Sequence, residues 1–355
     1  MNNSTILNDE KINTESKRFD YFDGLRVVCA ILIVLIHSTS VMFYSDMLSD
    51  SVWWFMNITN SFSRVGVSIF FMISGALLLK SSKNDSIEYV FFKRVVKIVI
   101  QLIIFSVIYA YLYGVIIDDT NFTIKSFIRR FLTNDIENKF WFLYVLIGLY
   151  LSTPLLRIIV EKASRKYLWY FVILSLVGVY FKYDMNTYFD INVRFEIPIV
   201  ASYLGVYVLG YLLNTTDIPK NYRIIIYVLG ILGYIFRVWS VYNGTLADGH
   251  LNIDWINNHT FNVLVSSVAI FVFAKNAPSF ERFSKLKIIR EISKITLGVY
   301  LIHPAIIKWF VFWREWKPGN VEIHHIVALF VIATVGSMAI SFVLSKIKYV
   351  NKLIS

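Results

Sequence analysis

Residues 22–40, FDGLRVVCAILIVLIHSTS, decide the fold. Between Arg26 and His37 lie ten consecutive uncharged, almost wholly apolar residues, and the apolar run around them, near 24–42, is too long for a strand. A helix crossing the roughly 30 Å hydrocarbon core of a bilayer needs about 20 such residues. Nine further segments of this kind follow near 62–80, 95–117, 140–159, 168–183, 196–213, 222–241, 260–274, 292–312 and 324–345, the fifth and eighth being short. The ten-residue alternation of an outer-membrane barrel is absent. The expectation is an all-α, polytopic transmembrane helical bundle of about ten spans.

Composition points the same way. Of 355 residues, 57% are hydrophobic, 17% aromatic and only 17% charged, where a soluble domain carries about 25% charge. That excludes a disordered or fibrous chain and argues against a soluble enzyme, because one aqueous domain cannot hide so many aromatic side chains. The single cysteine, Cys29, forbids an intrachain disulfide and supplies no thiolate cluster, so no metal centre is expected.

The net charge of +11 is explained by retention of Lys and Arg on the cytoplasmic side rather than by nucleic acid. With the N-terminus inside, most basic residues fall in internal segments, among them Lys93, Arg94 and Lys97, then Arg157 and Lys162, and the cluster from Lys275 to Lys294. Both termini are therefore expected in the cytoplasm. Residues 1–19 read as a polar tail without a signal peptide, 20–348 as one ten-helix membrane domain, and 349–355 as a C-terminal tail. In the outer loop, residues 121–132 (NFTIKSFIRRFL) alternate aromatic and basic positions and read as an interfacial amphipathic helix. The polar segment 242–259 either recognises an acceptor or merely connects two spans.

Ionisable residues inside a span are costly and mark a site or a pathway. Arg26 and His37 are eleven residues apart, three helical turns plus about 20°, or roughly 16 Å along one face. Asp23 lies within about 40° of the same line. His303, in LGVYLIHP, enters span nine from the inside and should reach a depth similar to that of His37, with Pro304 beside it as a kink. At the inner end of span three Arg94 and Lys97 share a face, a cluster suited to phosphate oxygens or to anionic lipid. In span two, Ser74-Gly75 forms a small-residue notch, and Arg64 at the outer end is either an interfacial anchor or an acceptor-side ligand. The outer mouth is expected to collect Trp141, Arg194, Glu196, Arg237, Trp239, His259, His324 and His325. An aromatic belt accounts for the tryptophans, and adjacent His324 and His325 splay about 100° apart on a helix, a poor metal chelate.

Together Arg26-x10-His37, FFMISGALLL at 70–79, FFKRVVK at 91–97, WFL at 141–143 and GVYLIHP at 298–304 resemble the integral-membrane acyltransferase-3 family. The FDGLR and IHST segments are similar to bacterial sugar O-acetyltransferases of the enterobacterial-common-antigen type. The resemblance implies a ten-helix enzyme of the bacterial plasma membrane that moves an acetyl group from cytoplasmic acetyl-CoA to a hydroxyl of an extracytoplasmic or lipid-linked glycan. By motif, His37 matches the family's essential histidine and Arg26 its arginine partner. Arg94 matches the first arginine of an R-x-x-R pattern. Lys97 stands in place of the second, keeping the charge and losing the bidentate fork. No appended hydrolase-like domain is expected, so the bundle alone binds the acceptor or hands the acyl group to a partner.

Acetyl transfer to an alcohol needs a base and donors for the developing oxyanion. His37 in its neutral form can serve as general base, or instead as the nucleophile that carries the acetyl group. Arg26, Arg94 and Lys97 would hold the phosphates of the coenzyme, with Asp23, Arg64 and His303 in support and Ser38, Thr39 and Ser74 as possible oxyanion donors. The alternative from another class is a glycan or lipid-linked saccharide exporter, which would use the histidines as proton relays. A scaffold would need no aligned Asp23, Arg26 and His37.

Overall fold

Helix α1 (Tyr21–Val41) packs against the helices of residues 50–78, 261–276, 296–313 and 323–346, and its Leu25, Cys29 and Val34 are fully buried. The computed structural model describes residues 20–43, 48–80, 86–116, 123–194, 196–197, 202–314, 321–348 and 350–354. The expected tail over 1–19 lies outside them. Nine helices, in addition to one shorter apolar helix, make up the bundle among the described residues, and no strand occurs there. After α1 come α2 (Asp50–Leu78), α3 (Ile87–Gly114), α4 (Asn138–Lys162), α5 (Arg165–Phe189), α6 (Leu204–Thr215), α7 (Lys220–Asp248), α8 (Asp254–Asn276), α9 (Thr296–Trp313) and α10 (Ile323–Lys346). The fold is an all-α polytopic bundle.

Four spans depart from the sequence reading. The expected fifth and eighth spans are full length, at 25 and 23 residues. The sixth is the short one: α6 has 12 helical residues, about 18 Å of helix, and residues 198–201 before it are outside those described. Most consequential is α2, which begins at Asp50 rather than near 62 and runs for 29 residues through a junction at Arg64. Asn57, Asn60, Ser61 and Ser63 fall on one helical face that is turned inward and fully buried. Polarity that resembles a loop is here the buried stripe of a helix. Arg64 accordingly sits mid-helix, not at the outer end of a span.

Helices α2 and α6 cross backbone to backbone. A Cβ on Gly75 would lie 1.7 Å from the Tyr207 carbonyl oxygen, and one on Gly210 would lie 2.0 Å from that of Met72. Small residues permit this approach, which is how membrane helices gain packing energy when no hydrophobic gradient drives them together. Lys275 of α8 ties down the end of α6 by donating to the carbonyls of Leu213 (3.0 Å) and Thr216 (2.8 Å). Gly249 ends α7 in a left-handed conformation with φ +69°, a backbone state that glycine adopts without strain.

Two short helices, Pro278–Lys285 and Lys287–Ser293, pack on the start of α1. The amphipathic helix is present over Ile124–Leu132, capped by Thr123 and Ser126 and with none of its residues buried. Residues 242–248 of the expected outer loop continue α7. Asn351–Ile354 forms a turn of helix, and Ile354, 1% exposed, lies against Gly298 at the start of α9.

Candidate active site

One face of α1 joins two clusters. At its start Asp23 is buried, accepts a hydrogen bond from Ser293 Oγ (2.7 Å) and pairs with the Arg26 guanidinium (3.5 Å). A carboxylate fixed in this way aims Arg26, which stays partly exposed. Near its start, α3 passes through a π-turn over Phe91–Val95, a bulge frequent at functional sites. Its Arg94 is exposed and acts electrostatically on Lys97, Tyr150 and Tyr207.

Tyr150 of α4 is the hub of this cluster. It is hydrogen-bonded with Ser74 and lies within electrostatic reach of both Arg94 and Arg26. Thus Asp23, Arg26, Ser74 and Arg94 are brought together, with Lys97 beside Arg94. A third guanidinium joins them: Arg157, buried in α4, donates from Nε to the Leu78 carbonyl (2.6 Å) and faces Tyr207. Tyr207 in turn shares a hydroxyl hydrogen bond with Thr153 (2.8 Å). Sequence reasoning counted Arg157 only as a cytoplasmic marker and overlooked Tyr150. The available signal was the apolar company of Arg157 in TPLLRIIV.

Three turns along α1, the rings of His37 and His303 stack at 5.2 Å with 17° between their planes. Stacked rings present faces rather than edges, so the two imidazoles do not hydrogen-bond to each other. His303 donates from Nδ1 to the Val299 carbonyl (3.0 Å), and its buried Nε2 has no partner. In the neutral ring that nitrogen is an acceptor. His37 is partly buried within the bundle.

The helix around Pro304 has a dedicated splint. Tyr109 of α3 accepts a hydrogen bond from the Ala305 N–H (3.0 Å) and donates to the Leu301 carbonyl (2.8 Å). Its hydroxyl thereby replaces the helical bond between residues 301 and 305 beside a proline that cannot donate. Tyr109→Phe should leave both backbone groups unpaired, at roughly 1–3 kcal/mol each, and shift His303. The expected result is a lower melting temperature together with reduced kcat and little change in donor KM, measured by thermal unfolding and initial rates.

The charges of Lys139 and Arg64 act on His37. Arg64 is steered by Asn60 (Nε to Oδ1, 2.9 Å), and Asn60 Nδ2 donates to Thr39 Oγ1 (3.0 Å) and Ser40 Oγ (2.9 Å). Lys139 pairs with Glu137 at 2.9 Å, Tyr113 donates to the same carboxylate, and Tyr300 donates to the Lys139 carbonyl. Burial pushes the Glu137 carboxyl up, but the Lys139 charge and the bonds from Tyr113 and Lys139 outweigh it and hold it below the usual carboxylate range.

Several expected donors are otherwise engaged. Ser38 donates to the Val34 carbonyl (2.9 Å), Thr39 donates to the carbonyls of Leu35 and Ile36, and Ser74 belongs to the Tyr150 cluster. Ser38 and Thr39 thus direct their hydroxyl protons at carbonyls of their own helix. Arg237 is not at an outer mouth but fully buried. His325 accepts from the Glu322 N–H at the start of α10 and His324 pairs with the Glu322 carboxylate, both exposed capping arrangements. Among the described residues no three His, Cys, Asp or Glu side chains gather as a metal site.

A protein-family model described as an acyltransferase domain, acyltransferase-3, matches residues 19–346. No curated protein and no solved structure matches the chain. With the match covering nearly all of a bundle whose two clusters share one helix, the chain belongs to the acyltransferase-3 family and is a multi-pass membrane acyltransferase.

Proposed function

We propose that this enzyme is an O-acetyltransferase of the bacterial plasma membrane, moving an acetyl group from cytoplasmic acetyl-CoA to a hydroxyl of an extracytoplasmic or lipid-linked glycan, with His37 as general base. The observation that carries the reading is the single face of α1 that links the cationic cluster to the stacked imidazoles. Arg26, Arg94 and Lys97 are the groups to hold the phosphates of acetyl-CoA, since guanidinium and ammonium make charge-assisted bonds to phosphate oxygens. Arg157 and Tyr150 extend that cationic, hydrogen-bonding wall.

Three turns deeper, His37 accepts the proton of the acceptor hydroxyl as its oxygen attacks the thioester carbonyl. Arg64, held by Asn60, supplies positive charge for the oxyanion. When the carbon–sulfur bond breaks, His37 returns the proton to the leaving sulfur, and the products are an ester and CoA. His303 stacks on His37 and limits its rotation, so it is a positioning residue.

The test is the acetyl-CoA dependence of CoA release by protein in nanodiscs. Arg26→Ala and Arg94→Ala should each raise KM about tenfold or more, since a charge-assisted bond contributes roughly 1.5–3 kcal/mol. Unchanged KM in both folded variants would remove the basis of the donor assignment.

A further inference from the structure

A lateral groove of about 270 Å³ runs between α7 and α8 and is bordered by α2. Its walls are almost wholly apolar, with Tyr227, Ile231, Ile270 and Phe273 along its length and Phe62 with Tyr234 near one end. Ile231 is 60% exposed and Phe273 and Phe62 are also exposed, although all three lie in membrane-spanning helices. The groove therefore opens toward the bilayer. From Tyr227 to Arg237 is ten residues of α7, about 15 Å, the length of a substantial stretch of aliphatic chain.

At the end near Tyr234 stands Arg237, 0% exposed and with no carboxylate paired to it among the described residues. One of its nitrogens, Nη2, donates to Ser266 Oγ at 3.1 Å; Nε and Nη1 have no hydrogen-bond partner. The face of Tyr234 lies 5.9 Å from the guanidinium carbon. Another cation, Arg64, acts on it electrostatically and repels it. A buried, uncompensated guanidinium in a membrane span is costly and is kept where an anion arrives to pair with it.

We infer that this groove binds a phosphate-bearing lipid from the bilayer, its aliphatic chain lying along Tyr227, Ile231 and Ile270 and its phosphate on Nε and Nη1 of Arg237. The apolar length selects a chain, the orphaned donors select an anion, and the opening toward hydrocarbon selects a ligand delivered by the membrane. Arg64 acts electrostatically on both Arg237 and His37, which links this site to the imidazoles. A lipid anchored here carries its head group toward the stacked imidazoles, which makes a phosphate-linked lipid the acceptor class. That last step rests on the transferase reading; the binding itself does not.

The experiment is native mass spectrometry of the full chain in detergent micelles titrated with phosphatidylglycerol, phosphatidylcholine or inorganic phosphate, alongside an acetyl-CoA titration of the same samples. The expected result is one saturable phosphatidylglycerol per chain, not displaced by inorganic phosphate and weaker for phosphatidylcholine. Arg237→Gln should weaken it about tenfold or more. Ile231→Trp, which fills the groove from its exposed side without touching the packed core, should weaken it while the melting temperature is kept. Equal lipid affinity in wild type and both variants, or full displacement by inorganic phosphate, would overturn the proposal. Failure of acetyl-CoA binding with lipid binding intact would instead strike the donor assignment and leave this site standing.

Discussion

Replacing His37 with alanine is expected to lower acyl-transfer turnover by about 10²–10⁴-fold, the usual contribution of a positioned general base, while acetyl-CoA still binds. The separation follows from geometry. Arg26, Arg94 and Tyr150 lie three turns of α1 away from the imidazole, and Asp23 and Ser293 hold Arg26 without reference to His37. Loss of the ring deletes the proton acceptor and the stacking partner of His303, but no phosphate ligand. Single-turnover and steady-state rates checked against a binding titration separate the two effects. Turnover near that of wild type in His37→Ala would assign the chemistry elsewhere, and joint loss of binding and turnover would mean that the two clusters are not independent.

The largest expected structural effect comes from Gly75→Val. The added Cβ would fall 1.7 Å from the Tyr207 carbonyl oxygen, against backbone that no rotamer change can move. Overpacking costs about 1–3 kcal/mol where side chains can yield; here α2 and α6 must part, so the expected cost lies at or above the upper end. Separation also displaces Ser74 from Tyr150 and Met72 from Gly210. Gly148→Val is the control, because nothing lies within 4 Å of its Cβ position. The expected outcome is loss of a monodisperse peak in detergent for Gly75→Val and retention for Gly148→Val. Equal behaviour of the two would contradict the close helix crossing.

What the sequence made legible follows from what long apolar runs encode. Period and length gave the helical spans, and helical arithmetic placed Asp23, Arg26 and His37 on one line, where the structure has them. The similar depth of His303 was also readable; the 5.2 Å stack was not, because nothing local says which helices touch. The misreadings share a cause. In residues 50–64 the polar side chains are buried on carbonyls and hydroxyls of the bundle, which hydropathy scores as solvent exposure, so the sequence places the start of α2 too late and Arg64 at an interface. Tyr109 and Tyr150 were invisible for a related reason: a tyrosine in an apolar run looks like core, and only partners from distant helices give its hydroxyl a task.

The measurement that tests the central claim most directly is sidedness. Sealed vesicles of both orientations, prepared from cells that express the protein and so contain its acceptor, would receive radiolabelled acetyl-CoA on the outside only. The face carrying Arg26 and Arg94 must be the one that admits the donor. The account therefore expects label in the acceptor from inverted vesicles alone, lost with Arg94→Ala and with His37→Ala. Equal labelling in both orientations, or labelling that survives both substitutions, would contradict it.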